Sequence, residues 1–118
     1  LGICRFCSTD PLAVLDCVNS VTGWQVGVPE ALQIGARTIN QLRVFNFRHG
    51  LDPNLEAPSP RYRSTPVDGP AQGKGIAEHF DWMKRNYWAK MGWDPETGKP
   101  LPETLERLGL GDLVAELG

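Results

Sequence analysis

No stretch of the 118-residue chain stays apolar for the roughly 20 residues that a bilayer-crossing helix needs. Its start also lacks the basic lead and apolar run of a secretory signal. Positive charge is not in surplus. Lys and Arg total 12 against 14 Asp and Glu, a net charge of −2, so the chain offers no broad electrostatic footprint for nucleic acid or an anionic membrane. The three cysteines are an odd number, which excludes a fully paired intramolecular disulfide framework and points to a reducing compartment. The expected location is cytoplasmic. Sustained apolar/polar alternation is missing, and with it the signature of a half-buried strand. No internal repeat, low-complexity tract or domain linker breaks the sequence, whose length suits one domain.

What remains reads as helices joined by long Pro/Gly-rich connections, an irregular all-α domain. Asp10 is placed as an N-cap before Pro11, which opens a helix to about Val21 with Leu12, Val14, Leu15 and Val18 as its apolar stripe and Gly23 as its stop. "PEALQIGARTINQLRVFNFRHG" is the strongest segment. Pro29 and Glu30 suit its start; Arg48, His49 and Gly50 suit its end. Leu32, Gly35, Ile39, Leu42 and Phe45 step by three and four residues, so one face of a central helix is expected to be apolar, with Val44 and Phe47 widening it. Residues 51–75 hold five prolines and no periodicity, and should lack regular structure. A further helix is expected around Phe80, Met83, Tyr87 and Met91, with Trp82 and Trp88 to the sides and Gly92 at its end. "WDPETGKP" reads as a turn in which Gly98 takes a positive φ. Short helices should follow from Pro102 and, capped by Asp112, in "GDLVAELG".

Catalytic constellations are poor. No Ser/His/Asp set or phosphate-cradling glycine loop is present, and the pairs Glu103/Glu106 and Asp112/Glu116 read as helix-surface charges. "CRFC" is a C-x2-C pair, the spacing of a zinc chelate or a redox dithiol. Only Cys17, His49 and His79 remain to complete a zinc site, and no second close pair exists. Free cysteine is usually a small buried apolar side chain, the reading taken for Cys17 and Cys7. His49 complements a helix terminus, and His79 lies in a solvated stretch beside Glu78 and Asp81.

Several stretches, in order, resemble one family. "LGIC" is similar to the end of the D-x-x-G-(L/I)-C motif of the tungsten-containing aldehyde:ferredoxin oxidoreductases. "VTGW" followed by "IGARTINQLRVFNFRHG" resembles that family's VTGW…hGxRhxNLxRhFNxRxG, where h is apolar, and "NYWAKMGWDPETGKPLPETLERLGL" resembles its closing YYxxRGWDxxGhPxxexLxxLGL. Gly35, Arg37, Asn40, Arg43, Phe45, Asn46, Arg48 and Gly50, followed by Gly92-Trp93-Asp94, carry the likeness. Two stretches depart from the pattern: the D-x-L-P-x-R signature is reduced to "EAPSPRYR", and Met91 replaces the arginine of "RGW".

The resemblance implies the C-terminal helical domain, residues 1–118, of a larger oxidoreductase. In that family a tungsten or molybdenum atom held by two molybdopterin dithiolenes sits beside a 4Fe–4S cluster, aldehydes are oxidised to carboxylic acids, and ferredoxin accepts the electrons. By position, Cys4 would be the fourth cluster ligand, with Gly2 and Ile3 along the pterin. The motif's aspartate would precede Leu1, so the resemblance places the start of this chain inside a cofactor motif. Upstream domains of the same polypeptide would supply the other ligands and the acid–base residues, and the parent would be a homodimer candidate. No residue here inherits a catalytic role, and the 118 residues alone should be inactive. Arg37, Arg43, Asn46 and Arg48 are expected to satisfy carbonyls and carboxylates within the fold, since buried charge must be paired. Of two alternatives, a free-standing helical interaction module predicts no large uncovered apolar patch, whereas a domain of a larger enzyme predicts one, and a small zinc domain predicts stoichiometric metal and loss of folding on chelation.

Overall fold

A computed structural model describes residues 10–117 of the chain. It contains five α-helices: α1 (Pro11–Thr22), α2 (Val28–Arg48), α3 (Pro60–Arg63), α4 (Phe80–Lys90) and α5 (Pro102–Arg107). Single 3-10 turns run over Pro53–Leu55 and Gly111–Leu117. No strand forms among the described residues, only one isolated antiparallel bridge between Trp93 and Pro100. The expected all-α class is observed.

Local chemistry sets the helix ends. Asp10 Oδ1 accepts the amide of Leu12 at 2.9 Å, and Pro11 occupies the first turn of α1, where its missing N–H costs nothing. Asn19 then reaches across the connection to α2, its Nδ2 donating to the Val26 carbonyl and its Oδ1 accepting the Val26 amide, both at 3.0 Å. That two-point clamp turns the chain back on itself. α2, α4 and α5 all stop the same way: Gly50, Gly92 and Gly109 take positive φ, and the next amide bonds back five residues, as in Leu51 to Asn46 and Trp93 to Trp88. These are Schellman closures.

The apolar core is small. Val44, Leu105, Leu108 and Leu110 pack together, with Ala36, Leu113, Val114 and Leu117 against them, so it joins α2 to α5 and the last 3-10 turn. Leu105 is fully buried and contributes about 2 kcal/mol by leaving water. Lys99 Nζ donates to the Leu117 carbonyl at 2.9 Å, and Arg48 pairs with Glu116 at 2.8 Å, which hold the end of the chain onto this core.

Beyond the core the fold is open. The radius of gyration is 17.7 Å, whereas a compact domain of this size has about 13 Å. The apolar stripe of α2 faces out, as expected for a domain of a larger enzyme: Leu32, Ile39, Leu42 and Phe45 are between 41% and 70% exposed, while Asn40, Arg43 and Val44 are buried. Other expectations are corrected. On α4 Trp88, read as lying to one side of the apolar stripe, is the buried residue, and Met83 and Tyr87 are half exposed. Cys17 is exposed, not a core side chain. Residues 51–75, expected to be irregular, include the turn Pro53–Leu55 and the helix α3. Gly111–Leu117 winds as a 3-10 turn with Asp112 inside it instead of capping an α-helix.

Candidate functional site: a buried arginine beneath an open groove

Asn40, Arg43 and Val44 are spaced i, i+3, i+4 and so share the inward arc of α2. Arg43, only 6% exposed, organises what lies beneath. Its Nε donates to the Gly98 carbonyl at 2.9 Å, and its two terminal nitrogens meet both oxygens of Glu56. The guanidinium also lies over three rings, 4.5 Å from Trp93, 4.9 Å from Phe47 and 5.6 Å from Trp88. Each of its three nitrogens therefore donates to a carbonyl or carboxylate oxygen, and such pairing is the condition under which a charge can be buried.

One side chain thus ties α2 to the 51–59 connection, to α4 and to the turn after it. That turn is set by Asp94, whose Oδ1 accepts the amides of Glu96 and Thr97 and the Thr97 hydroxyl. The Thr97 amide and then its hydroxyl hold the Asp94 carboxyl below its ordinary range. Gly98 closes the turn at φ +66°, and a Cβ there would stand 2.4 Å from Arg43 Nη2. Only glycine allows the arginine this close. Beside it Trp93 Nε1 donates to Asn40 Oδ1 at 2.9 Å, and Asn40 Nδ2 donates to the Ala36 carbonyl. No buried side-chain nitrogen or oxygen among the described residues lacks a partner.

Above this floor lies a groove of about 670 Å3 between α2 and α4, walled by Ile39, Leu42, Pro58, Phe80, Met83 and Tyr87. Lys84 enters it with its side chain 18% exposed and its ammonium 5.1 Å from the Trp88 ring. The groove is apolar, solvent-open and without a paired nucleophile and base.

The expectation for the helix arginines holds in three of its four parts. Arg37 Nε donates to the Leu108 carbonyl at 2.9 Å, at the end of α5, where a cation is favoured; Arg43 meets Gly98 and Glu56; Arg48 meets Glu116. Asn46 makes its bonds through its carbonyl, which receives the amides of His49 and Leu51. His49 caps α2 and stacks on Phe45 at 4.2 Å, and His79 lies exposed beside Glu78, both as read. Glu56, Lys84 and the partnership of Asn40 with Trp93 went unassigned in the sequence. A motif asparagine three residues before a motif arginine on one helix, with a tryptophan-rich stretch at residues 82–93 further along the chain, was the available signal.

Gly2, Ile3, Cys4 and Cys7 lie outside the described residues. Among the described residues no group of three or more His, Cys, Asp or Glu side chains is placed to hold a metal ion. No helix among the described residues is long and apolar enough to cross a membrane.

The chain matches, over residues 1–110, the family model described as aldehyde ferredoxin oxidoreductase, domains 2 & 3. It is 35% identical over 99 residues to the tungsten-containing aldehyde ferredoxin oxidoreductase of Pyrococcus furiosus, a match covering 82% of this chain and 16% of that protein. The proteins of the same name from Pyrococcus horikoshii and Thermococcus kodakarensis are 35% and 33% identical over 101 residues, 84% of this chain and 16% of each relative. The chain thus spans about one sixth of the length of these relatives. No solved structure matches it. With the ordered motifs and the family match over residues 1–110 in agreement, the chain belongs to the aldehyde ferredoxin oxidoreductase family.

Proposed function

We propose that these 118 residues are the C-terminal helical domain of an enzyme that oxidises aldehydes to carboxylic acids. The reaction takes an aldehyde and water to the acid, two protons and two electrons, and the electrons leave one at a time to ferredoxin. A tungsten or molybdenum bis-molybdopterin centre and a 4Fe–4S cluster, when bound, supply the two-electron chemistry and its division into single steps. In this reading the thiolate of Cys4 is one of four cluster ligands and the backbone at Gly2 and Ile3 lies along the pterin. The remaining ligands and the acid–base residues come from upstream domains of the same polypeptide.

The described residues have a different task in this reading. Arg43, Asn40 and Trp93 lock α2, α4 and the following turn into one unit. Positioning and exclusion of solvent are what a protein adds to such a centre. The observation that carries the proposal is the family match, which runs from residue 1 to residue 110 through every motif. The uncovered apolar stripe of α2 supports it, since a self-contained module would bury that stripe.

The test begins with the reading frame upstream of Leu1, which should continue through a C-x2-C-x3-C motif. The protein from the complete frame should carry a cluster that becomes paramagnetic on reduction with dithionite, and should reduce a viologen dye with aldehyde. Cys4→Ser should lose or alter the cluster signal, and Cys7→Ser should keep it. A cluster and an activity both untouched by Cys4→Ser would overturn the assignment.

A further inference from the structure

We infer that the ring of Phe6 seats in the apolar pocket between α1 and the first turns of α2, and that this seat positions Cys4. The seat stands on the pocket alone; its consequence for Cys4 rests on the enzymatic reading above.

The pocket has the size and chemistry of one aromatic ring. Val14, Leu15 and Val18 of α1 line it together with Ala31 and Ile34 of α2 and with Trp24 from the connection between them. Its volume is about 190 Å3. An apolar cavity of about 150 Å3 holds one benzene, whereas sites for drug-sized ligands and cofactors run to about 300–1,000 Å3. Among the described residues no charged side chain lines it, so it offers no counter-charge to an anion or a metal ion. Trp24 is 59% exposed and Ile34 42%, and a ring placed between them takes apolar surface out of water.

Connectivity selects the occupant. Residues 1–9 lead through Asp10 into Pro11, which is itself part of the pocket wall. Phe6 is the one aromatic residue among those nine and stands four residues before Asp10. Four residues reach at most about 14 Å, and Val18, the wall residue furthest along α1, lies about 12 Å from Asp10 along the helix axis. A side chain tethered this closely is present at an effective concentration of the order of millimolar, ahead of any free ligand. Ile3, three residues further off, lies along the pterin in the same reading. Cys4 is two residues from Phe6, so a fixed ring confines the cysteine Cα to within about 7 Å of that of Phe6. Groups that orient a metal ligand without touching the metal tune the centre it holds. Phe6 is thus a positioning residue and not a ligand.

The complete, folded protein tests the two halves separately. Hydroxyl-radical labelling read by mass spectrometry measures the exposure of Trp24. Phe6→Ala should raise that labelling several-fold over the wild type, and Phe6→Leu should fall between them. Xenon under pressure enters dry apolar cavities, so it should return Phe6→Ala toward the wild-type level and leave the wild type unchanged. After reduction with dithionite, the cluster of Phe6→Ala should give a broadened or shifted paramagnetic signal and that of Phe6→Leu a near-normal one. Xenon fills the pocket without a tether, so it should not restore the signal of Phe6→Ala. Trp24 labelled equally in the wild type and both variants would overturn the seat. Faster Trp24 labelling with an unchanged cluster signal, or a cluster signal restored by xenon, would overturn the positioning of Cys4. Phe6→Val, which removes the ring but keeps a branched side chain, takes the place of Phe6→Ala if the latter does not fold. A cluster untouched by Cys4→Ser would sink the enzymatic reading, and the Trp24 comparison would still decide the seat.

Discussion

Trp93 and Asn40, 53 residues apart in the chain, meet through a buried hydrogen bond in which the indole N–H donates to the amide oxygen at 2.9 Å. Asn40 is 1% exposed and spends its own N–H on the Ala36 carbonyl. Both bonds are needed at once, which fixes the orientation of the amide.

Asn40→Ala leaves the indole N–H buried without an acceptor and should destabilise the protein by about 1–3 kcal/mol. Asn40→Asp should do at least as much harm, because it keeps the acceptor for Trp93 but turns a carboxylate oxygen toward the Ala36 carbonyl. Urea unfolding followed by tryptophan fluorescence measures both. Equal stability for the wild type and Asn40→Ala would remove the bond from the account of the fold.

Arg43→Lys tests whether charge or shape matters at the groove floor. An ammonium cannot reach Gly98 and both oxygens of Glu56 together, so the exchange should cost about 2–4 kcal/mol despite the conserved charge. Glu56 is partly open to water, which keeps the figure below that of a wholly buried pair. The double variant Arg43→Met with Glu56→Gln should recover part of the loss. A single Arg43→Lys variant as stable as the wild type would show that the fork geometry is dispensable.

Glycine replacements separate backbone strain from collision. Gly50 has φ +83° with open space around it, so Gly50→Ala should cost about 1–2 kcal/mol from conformation alone. At Gly98 a Cβ would meet Arg43 and, at 2.9 Å, two carbons of Trp88; at Gly92 it would stand 2.2 Å from the Thr104 hydroxyl. Gly98→Ala and Gly92→Ala should therefore lose more than Gly50→Ala, by about 1–3 kcal/mol of forced repacking. Thermal melts of the three variants give the ranking directly, and a Gly98 variant no worse than Gly50→Ala would contradict the packing around Arg43.

Acid should act on the 94–98 turn. The folded carboxyl of Asp94 lies below its ordinary value of 3.8, so its stabilisation is fully present above that value and is lost as pH falls through the folded one. Asp94→Asn keeps an acceptor oxygen but has no proton to take up. Between about pH 5 and pH 2 the melting temperature of the wild type should fall more steeply than that of Asp94→Asn. Parallel curves would assign the acid response to other carboxylates.

Helix limits were readable because their signals are local. Asp10 before Pro11, Pro102 at the start of α5, and Gly50 and Gly92 at helix ends each act within a turn of the chain, and the structure uses them as read. The direction each helix faces was not readable. Periodicity shows that Leu32, Ile39, Leu42 and Phe45 share a side, but not what covers them, and the described residues leave them exposed. Arg43 and Asn40 face inward because Glu56, Gly98 and Trp93 satisfy them from remote positions, a circumstance invisible to any window of neighbouring residues. The same reasoning explains Cys17: α1 presses only part of one side onto α2, so a cysteine on its other side meets water. The proposed cofactor roles of Gly2, Ile3 and Cys4 came from the family pattern, since composition and spacing alone do not assign them.

α2 is a dividing wall, wetted on the side where Leu42 and Phe45 stand and dry on the side where Arg43 is bonded. A preparation limited to these 118 residues would therefore behave as a surfactant-like colloid: dispersed when dilute, sticking to itself as it is concentrated, and relieved by mild detergent. Handling of that kind would reflect the architecture of the helix, not damage to the protein.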